Sequence, residues 1–224
     1  MKERKNWACL YDVLDMMNQV SSCLILRNYE DITNDQYYMD GHDDIDFLCD
    51  NPKAIMKALD VRKDVIWKSK DHYYVKIAGK DVKIGLRYIG DDYYDRSWEK
   101  SALDNKVKFN DHYYVMDKEN YFYSLLFHAL LQKKKLSDDY KRRLISMGNG
   151  IGLSLTGDSD FHQCLFNYMR KMNYSVVYPK DITVRINYEK VPNDLIRGKN
   201  AYKIRRFFGF YRRVAGKLSS MTAK

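Results

Sequence analysis

Asp43-Asp44-Ile45-Asp46-Phe47-Leu48, following Leu24-Ile25-Leu26-Arg27-Asn28-Tyr29 across a polar stretch, decides the reading of this chain. Side chains on a strand alternate faces with a period of two, so Asp44 and Asp46 point the same way. Ile45, Phe47 and Leu48 bury much of the rest of that strand. Two carboxylates held side by side repel each other unless a cation or a proton lies between them. A divalent metal is the usual occupant where phosphate chemistry is near.

Working outward, the spacing of Leu10, Val13, Leu14, Met17 and Val20 predicts a helix over residues 6–20. A short Leu- and Ile-rich strand follows over 22–27, and a polar loop over 29–42 leads into the acidic strand. Pro52 suits the first turn of a helix over 53–59. Strands are expected over 64–68, 72–77 and 82–89, the last two joined by a tight turn at Ala78-Gly79-Lys80. A short helix over 96–103 ends this part. Beyond Lys118 the pattern becomes helical: a buried helix over 121–131, one over 140–146 capped by Ser137, a chain break at Gly148-Asn149-Gly150, and one over 161–172. Extended segments are expected over 175–178 and 183–186.

The fold class is therefore α/β (α+β), a mixed sheet with flanking helices followed by a mostly helical C-terminal part. Three regions result: 1–115, a sheet-bearing domain; 116–196, mostly helical; and 197–224, a basic amphipathic tail.

Nine of the 39 basic residues fall between Arg197 and Lys224, which holds no acid; the remaining 30 are matched by the chain's 30 acidic residues. The body thus has no bias toward polyanions. The tail carries Ile204, Phe207, Phe208, Tyr211, Val214 and Leu218 on one helical stripe and its arginines on the other. It reads first as a docked terminal helix, then as a helix making peripheral membrane contact. Nucleic acid ranks last, because the neutral body continues no basic track. No secretory signal or spanning segment is visible, so a cytoplasmic location is expected. Cys9, Cys23, Cys49 and Cys164 show no paired ligand spacing and read as reduced thiols. No Gly-Lys-Ser or Gly-Lys-Thr phosphate loop occurs, which disfavours a P-loop kinase. His128, in a very apolar helix, reads as a satisfied core histidine rather than a base.

A leading helix, a strand, a loop and a hydrophobic-Asp-x-Asp-hydrophobic strand resemble the nucleotidyltransferase superfamily of polymerase-beta-like fold. The resemblance covers roughly residues 7–100. Gly90-Asp91-Asp92-Tyr93-Tyr94-Asp95 with Trp98, the run from Tyr121 to Leu130, and Tyr178-Pro179-Lys180-Asp181 look like segments of members associated with surface-polysaccharide synthesis. The resemblance implies Mg²⁺ (or Mn²⁺) held by Asp44 and Asp46 as metal ligands and catalytic residues. It implies a nucleoside triphosphate as donor and a sugar, glycan or lipid-linked acceptor. Arg27-Asn28 stands where the family has small phosphate-holding residues. Arg27 is accordingly assigned to catalysis, and Arg27, Asn28 and Arg87 to nucleotide phosphate. Arg27 also has a structural reading, as partner to Glu30 or Asp44. The family's third acid should stand on Val82-Lys83-Ile84-Gly85-Leu86-Arg87-Tyr88, but Gly85 occupies its place; Asp81 and Asp91 flank the strand as substitutes. Two rivals remain: a glycosyltransferase holding a nucleotide-sugar through Asp44-Ile45-Asp46, and a non-catalytic relative.

Overall fold

The computed structural model describes residues 4–34, 36, 44–63, 72–181 and 183–198. The expected strand over 64–68, Asp43, and the tail beyond Gly198 lie outside the described residues.

The chain opens with β1 (Asn6–Trp7), then α1 (Leu10–Val20), β2 (Cys23–Ile25) and β3 (Ile45–Cys49). α2 (Pro52–Leu59), β4 (Arg62–Lys63), β5 (His72–Ile77) and β6 (Lys80–Tyr88) follow. α3 (Arg96–Asp104), β7 (Val107–Lys108) and β8 (Tyr114–Val115) complete the sheet-bearing part. The helical part is α4 (Lys118–Phe127), a π-helical turn His128–Gln132, α5 (Asp138–Asn149) and α6 (Asp158–Lys171).

The expected helix over 6–20 starts four residues late. Asn6 and Trp7 instead pair in parallel with Lys76 and Ile77 on β5. Trp7 is buried, its carbonyl accepts from the Ala78 N–H at 2.8 Å, and the Asn6 side chain accepts from the Gly79 N–H at 2.9 Å. The unpaired edge of β5 offers these residues more than another helical turn does. From Leu10 onward the spacing holds, with Leu10, Val13, Leu14 and Met17 all buried.

α2 begins as expected. Asn51 accepts from the Ala54 N–H, Pro52 follows it, and Asp60 closes the helix in the left-handed region at φ 51°. The β5–β6 hairpin has a two-residue turn, with Ala78 at φ 46° and Gly79 at φ 79°. Both positive angles match the tight turn whose twist suits antiparallel strands. α4 is buried at every position from Asn120 to Phe127, capped by Asp117, and α5 is capped by Ser137. α5 runs on through Gly148 and Asn149, past the expected end at 146, and closes at Gly150.

The strands form one mixed sheet in the order β1-β5-β6-β3-β2-β8-β7, with β4 on the same edge of β5 as β1. β3 runs parallel to β6 and antiparallel to β2; β5 and β6 are antiparallel. The mixed α/β expectation holds, with eight strands and six α-helices among the described residues. The segments 175–178 and 183–186 are not strands. Only an isolated bridge, Val176 to Ile196, forms there. Their polar groups are taken by loops of the body instead. Ser175 N–H donates to Asp95, Lys180 N–H to the Asp91 carbonyl, and Asn187 N–H to the Leu131 carbonyl.

Register sorts the central strands by face. Ile45, Phe47 and Cys49 stand beside Ile84, Leu86 and Tyr88, while Tyr73 and Val75 pair with Ile84 and Val82. This is the apolar face. The other carries Asp46 beside Gly85, Gly85 beside His72, and Lys83 beside Tyr74. One continuous core of buried side chains extends from Trp7 to Leu195 and includes residues on both sides of position 115.

Candidate metal centre

Asp46 is the second residue of β3 and Asp44 lies one residue before its start, so strand alternation sets both on the polar face. His72 opens β5 on that same face. One ligand atom from each of Asp44, Asp46 and His72 can be chosen so that all three lie within 4.8 Å of one another. His72 Nε2 lies 2.9 Å from Asp44 Oδ2, and Lys83 Nζ lies 3.7 Å from the same oxygen. The Asp44 and Asp46 side chains each keep 21% exposure, which leaves the cluster open to a small ligand.

Gly85 has a direct part in this geometry. A Cβ there would stand 2.2 Å from Asp46 Oδ1 and 3.5 Å from His72 Cδ2. The Asp46 carboxylate thus occupies the space a side chain at 85 would take. Gly85→Ala should cost about 1–3 kcal/mol through this overlap and turn the Asp46 carboxylate away. Denaturant unfolding measures the first effect. Unchanged stability would show that the carboxylate leans elsewhere.

Arg27 follows β2. Its Nη2 donates to Asp46 Oδ2 at 2.6 Å and its Nη1 to the Tyr93 hydroxyl at 2.8 Å. Neither of the expected partners, Glu30 or Asp44, takes this guanidinium. Glu30 pairs with Arg143 of α5 at 2.7 Å. Behind Arg27 the Tyr93 hydroxyl donates to Gln132 Oε1 at 2.9 Å, and His128 Nδ1 lies 2.6 Å from that oxygen. Arg27 Nη1 also stands 3.4 Å from His128 Nδ1. Burial first, then the Arg27 charge, pushes the His128 imidazole down to about 3, so it is neutral. The π-helical turn brings His128 and Gln132 together. Burial works to raise the Asp46 carboxyl, but Arg27, Arg87 and His72 outweigh it and hold Asp46 below its ordinary range.

Arg87 is 6% exposed. It pairs with Asp181 at 3.3 Å and Asp91 at 3.9 Å, and its guanidinium stands 4.7 Å from the Tyr93 ring centre. Asn28 adopts φ 54°, and its side-chain oxygen accepts from Arg143 at 3.2 Å. Neither flanking acid substitutes for a third carboxylate. Asp81 is bound by Arg4 and Arg62. Asp91 turns to Arg87 and accepts from the Tyr93 N–H. The third group of the cluster is His72, which sequence reasoning placed in a strand without assigning it a role. The available signal was a histidine leading a strand next to one that carries a glycine where an acid was expected.

Glu99 of α3 is wholly buried and accepts from the Gly90 and Tyr94 N–H groups at 2.5 and 3.1 Å. Burial first, then the neighbouring Asp91 charge, pushes its carboxyl up to about 9. The folded state therefore keeps a proton that the unfolded chain releases near the ordinary glutamate value. This contribution is present in full at low pH and is lost as pH rises from about 5 to 9. Glu99→Gln should flatten that decline in urea unfolding measured across the interval. An unchanged slope would mean that Glu99 is ionised in the fold.

The donor set of two carboxylates and one imidazole nitrogen fits a divalent cation, and Gly85 leaves the space in which they converge. Comparison of the chain with protein-family models, curated proteins and solved structures gave no significant match.

Proposed function

We propose that this protein is a metal-dependent nucleotidyltransferase, moving a nucleotidyl group from a nucleoside triphosphate to a sugar, glycan or related acceptor. The observation that carries the reading is the convergence of Asp44, Asp46 and His72 on the polar face of β3, β6 and β5. In this reading those three residues hold Mg²⁺ or Mn²⁺. A bound divalent ion would neutralise charge at the α-phosphorus and lower the pKa of the acceptor hydroxyl. Arg27 orients Asp46 by holding Oδ2, leaving Oδ1 for the ion. Arg87 lies deeper and adds positive field to that carboxylate. The acceptor oxygen bonds to the α-phosphorus as the bond to pyrophosphate breaks, and the hydroxyl proton passes to water.

The reading is tested by thermal shift with nucleoside triphosphates or nucleotide-sugars, each with Mg²⁺ or Mn²⁺, followed by assay for pyrophosphate release. A triphosphate with metal should stabilise the fold, by about 2.7 kcal/mol at a hundred times its Kd. Stabilisation by nucleotide-sugars alone would favour a glycosyltransferase instead.

The non-catalytic relative has one specific observation in its favour. Arg27 and Lys83 already offset charge on the two aspartates, and His72 Nε2 lies 2.9 Å from Asp44 Oδ2. A folded protein that binds no nucleotide with either metal would make the cluster a structural ion-pair network.

A further inference from the structure

We infer that the Asp44–Asp46–His72 cluster takes a first-row transition dication, Mn²⁺ in preference to Mg²⁺, and that His72 and Gly85 together set this preference. The inference rests on the reading of Asp44 and Asp46 as metal ligands, and adds the class of ion and the residue that selects it.

In register, Asp46, Gly85 and His72 stand in a row on three adjacent strands, with the glycine in the middle. Neighbouring strands lie about 4.8 Å apart, so the outer two backbones are separated by about 9.6 Å. Side chains as short as aspartate and histidine share one ion across that gap only by leaning inward over the middle strand. A residue with no side chain permits this, and the 2.2 Å overlap of a Cβ at 85 with Asp46 Oδ1 shows the space in use. Glycine here is the opening through which the imidazole enters the cluster in place of an acid.

The remaining geometry suits an ion. His72 Nε2 and Asp44 Oδ2 are 2.9 Å apart. Two ligands at right angles, each about 2.1 Å from an ion, stand about 3 Å apart. Replacing the proton between them with a metal requires no large movement. Asp46 can take part without releasing Arg27, because Oδ2 is held by the guanidinium while Oδ1 leans over Gly85.

The chemistry of the donors then chooses the ion. Mg²⁺ prefers oxygen ligands and gives up water reluctantly, whereas imidazole nitrogen favours the first-row transition dications. Arg27 and Lys83 beside the cluster oppose any cation.

The test uses the full chain, stripped of metal with a chelator and titrated with Mn²⁺ while the free-ion electron paramagnetic resonance signal is recorded. Mg²⁺ is added as competitor. The wild-type protein should bind Mn²⁺ and resist Mg²⁺, and His72→Asp should shift the Mn²⁺ to Mg²⁺ affinity ratio toward Mg²⁺ by about tenfold or more. Should His72→Asp fail to fold by circular dichroism, His72→Asn provides the same comparison of nitrogen with oxygen. An unchanged ratio in the folded variant, or no Mn²⁺ binding by the folded wild-type protein, overturns the inference. Nucleotidyl transfer is assayed separately. Histidine-dependent Mn²⁺ binding without transfer supports the ion assignment and defeats the transferase reading. Transfer with equal use of both ions and no dependence on His72 does the reverse.

Discussion

Asp46→Asn should abolish metal-dependent nucleotide binding while the protein stays folded. Removing a residue that merely supports a metal ligand costs 10- to 100-fold in affinity, so loss of the ligand itself should exceed about 100-fold. The local geometry strengthens this expectation. The asparagine carbonyl would stay with Arg27, which can only donate. The amide nitrogen would then take the place of Oδ1 over Gly85 and turn N–H groups toward His72 and the ion. Stability should fall modestly, by about 1.5–3 kcal/mol, because a hydrogen bond between two charges becomes one with a single charge. Calorimetric titration of triphosphate with Mn²⁺, alongside circular dichroism, checks both effects. A folded variant that binds as the wild type does would remove Asp46 from the site.

Trp98→Ala should cost about 3–5 kcal/mol, the range for emptying a large aromatic site in a close-packed core. Trp98 is wholly buried on α3. It stacks on Tyr174 at 5.3 Å and meets Phe127 and Tyr168 edge-on at 5.8 Å. Its indole N–H donates to Asn120 at 3.1 Å. These four partners all lie beyond residue 115, so Trp98 joins the sheet-bearing part to the helical part. The substitution would also leave the Asn120 side chain short of a buried donor. In urea, wild type and variant should each unfold in one transition, the variant at a much lower midpoint. Two separated transitions in the variant would show that the parts unfold independently, and a small shift would show that the site collapses around the gap.

Much of the site's backbone was legible before any coordinates. Asp44-Ile45-Asp46 announced two acids on one face, because strand alternation is a property of the chain itself. Pro52 and Ser137 marked helix starts through preferences spanning only a few residues, whereas the Asn51 and Asp117 caps were not read from the sequence. Failures came where a remote partner decided the outcome. Asn6 and Trp7 look helical in their own neighbourhood but meet an open edge of β5. The two-residue strands β7 and β8 leave no periodicity to read. Arg27 had two plausible partners nearby in sequence, Glu30 and Asp44, and took Asp46 instead, because Arg143 engages Glu30 and His72 and Lys83 engage Asp44. Gly85 looked like a missing acid, yet the fold uses it as room.

By itself the amino-acid order determined the alternation of β3, the hairpin at Ala78-Gly79, the helix caps and the mixed α/β class, since each depends on dihedral preferences or short-range spacing. Tertiary structure alone decided that His72 would join Asp44 and Asp46, and that Arg27 would hold one oxygen of the pair. Those outcomes require β5 and β6 to align at one register and β3 to lie beside β6. A shift by one residue would have turned His72 to the apolar face, and nothing within the local sequence states that alignment.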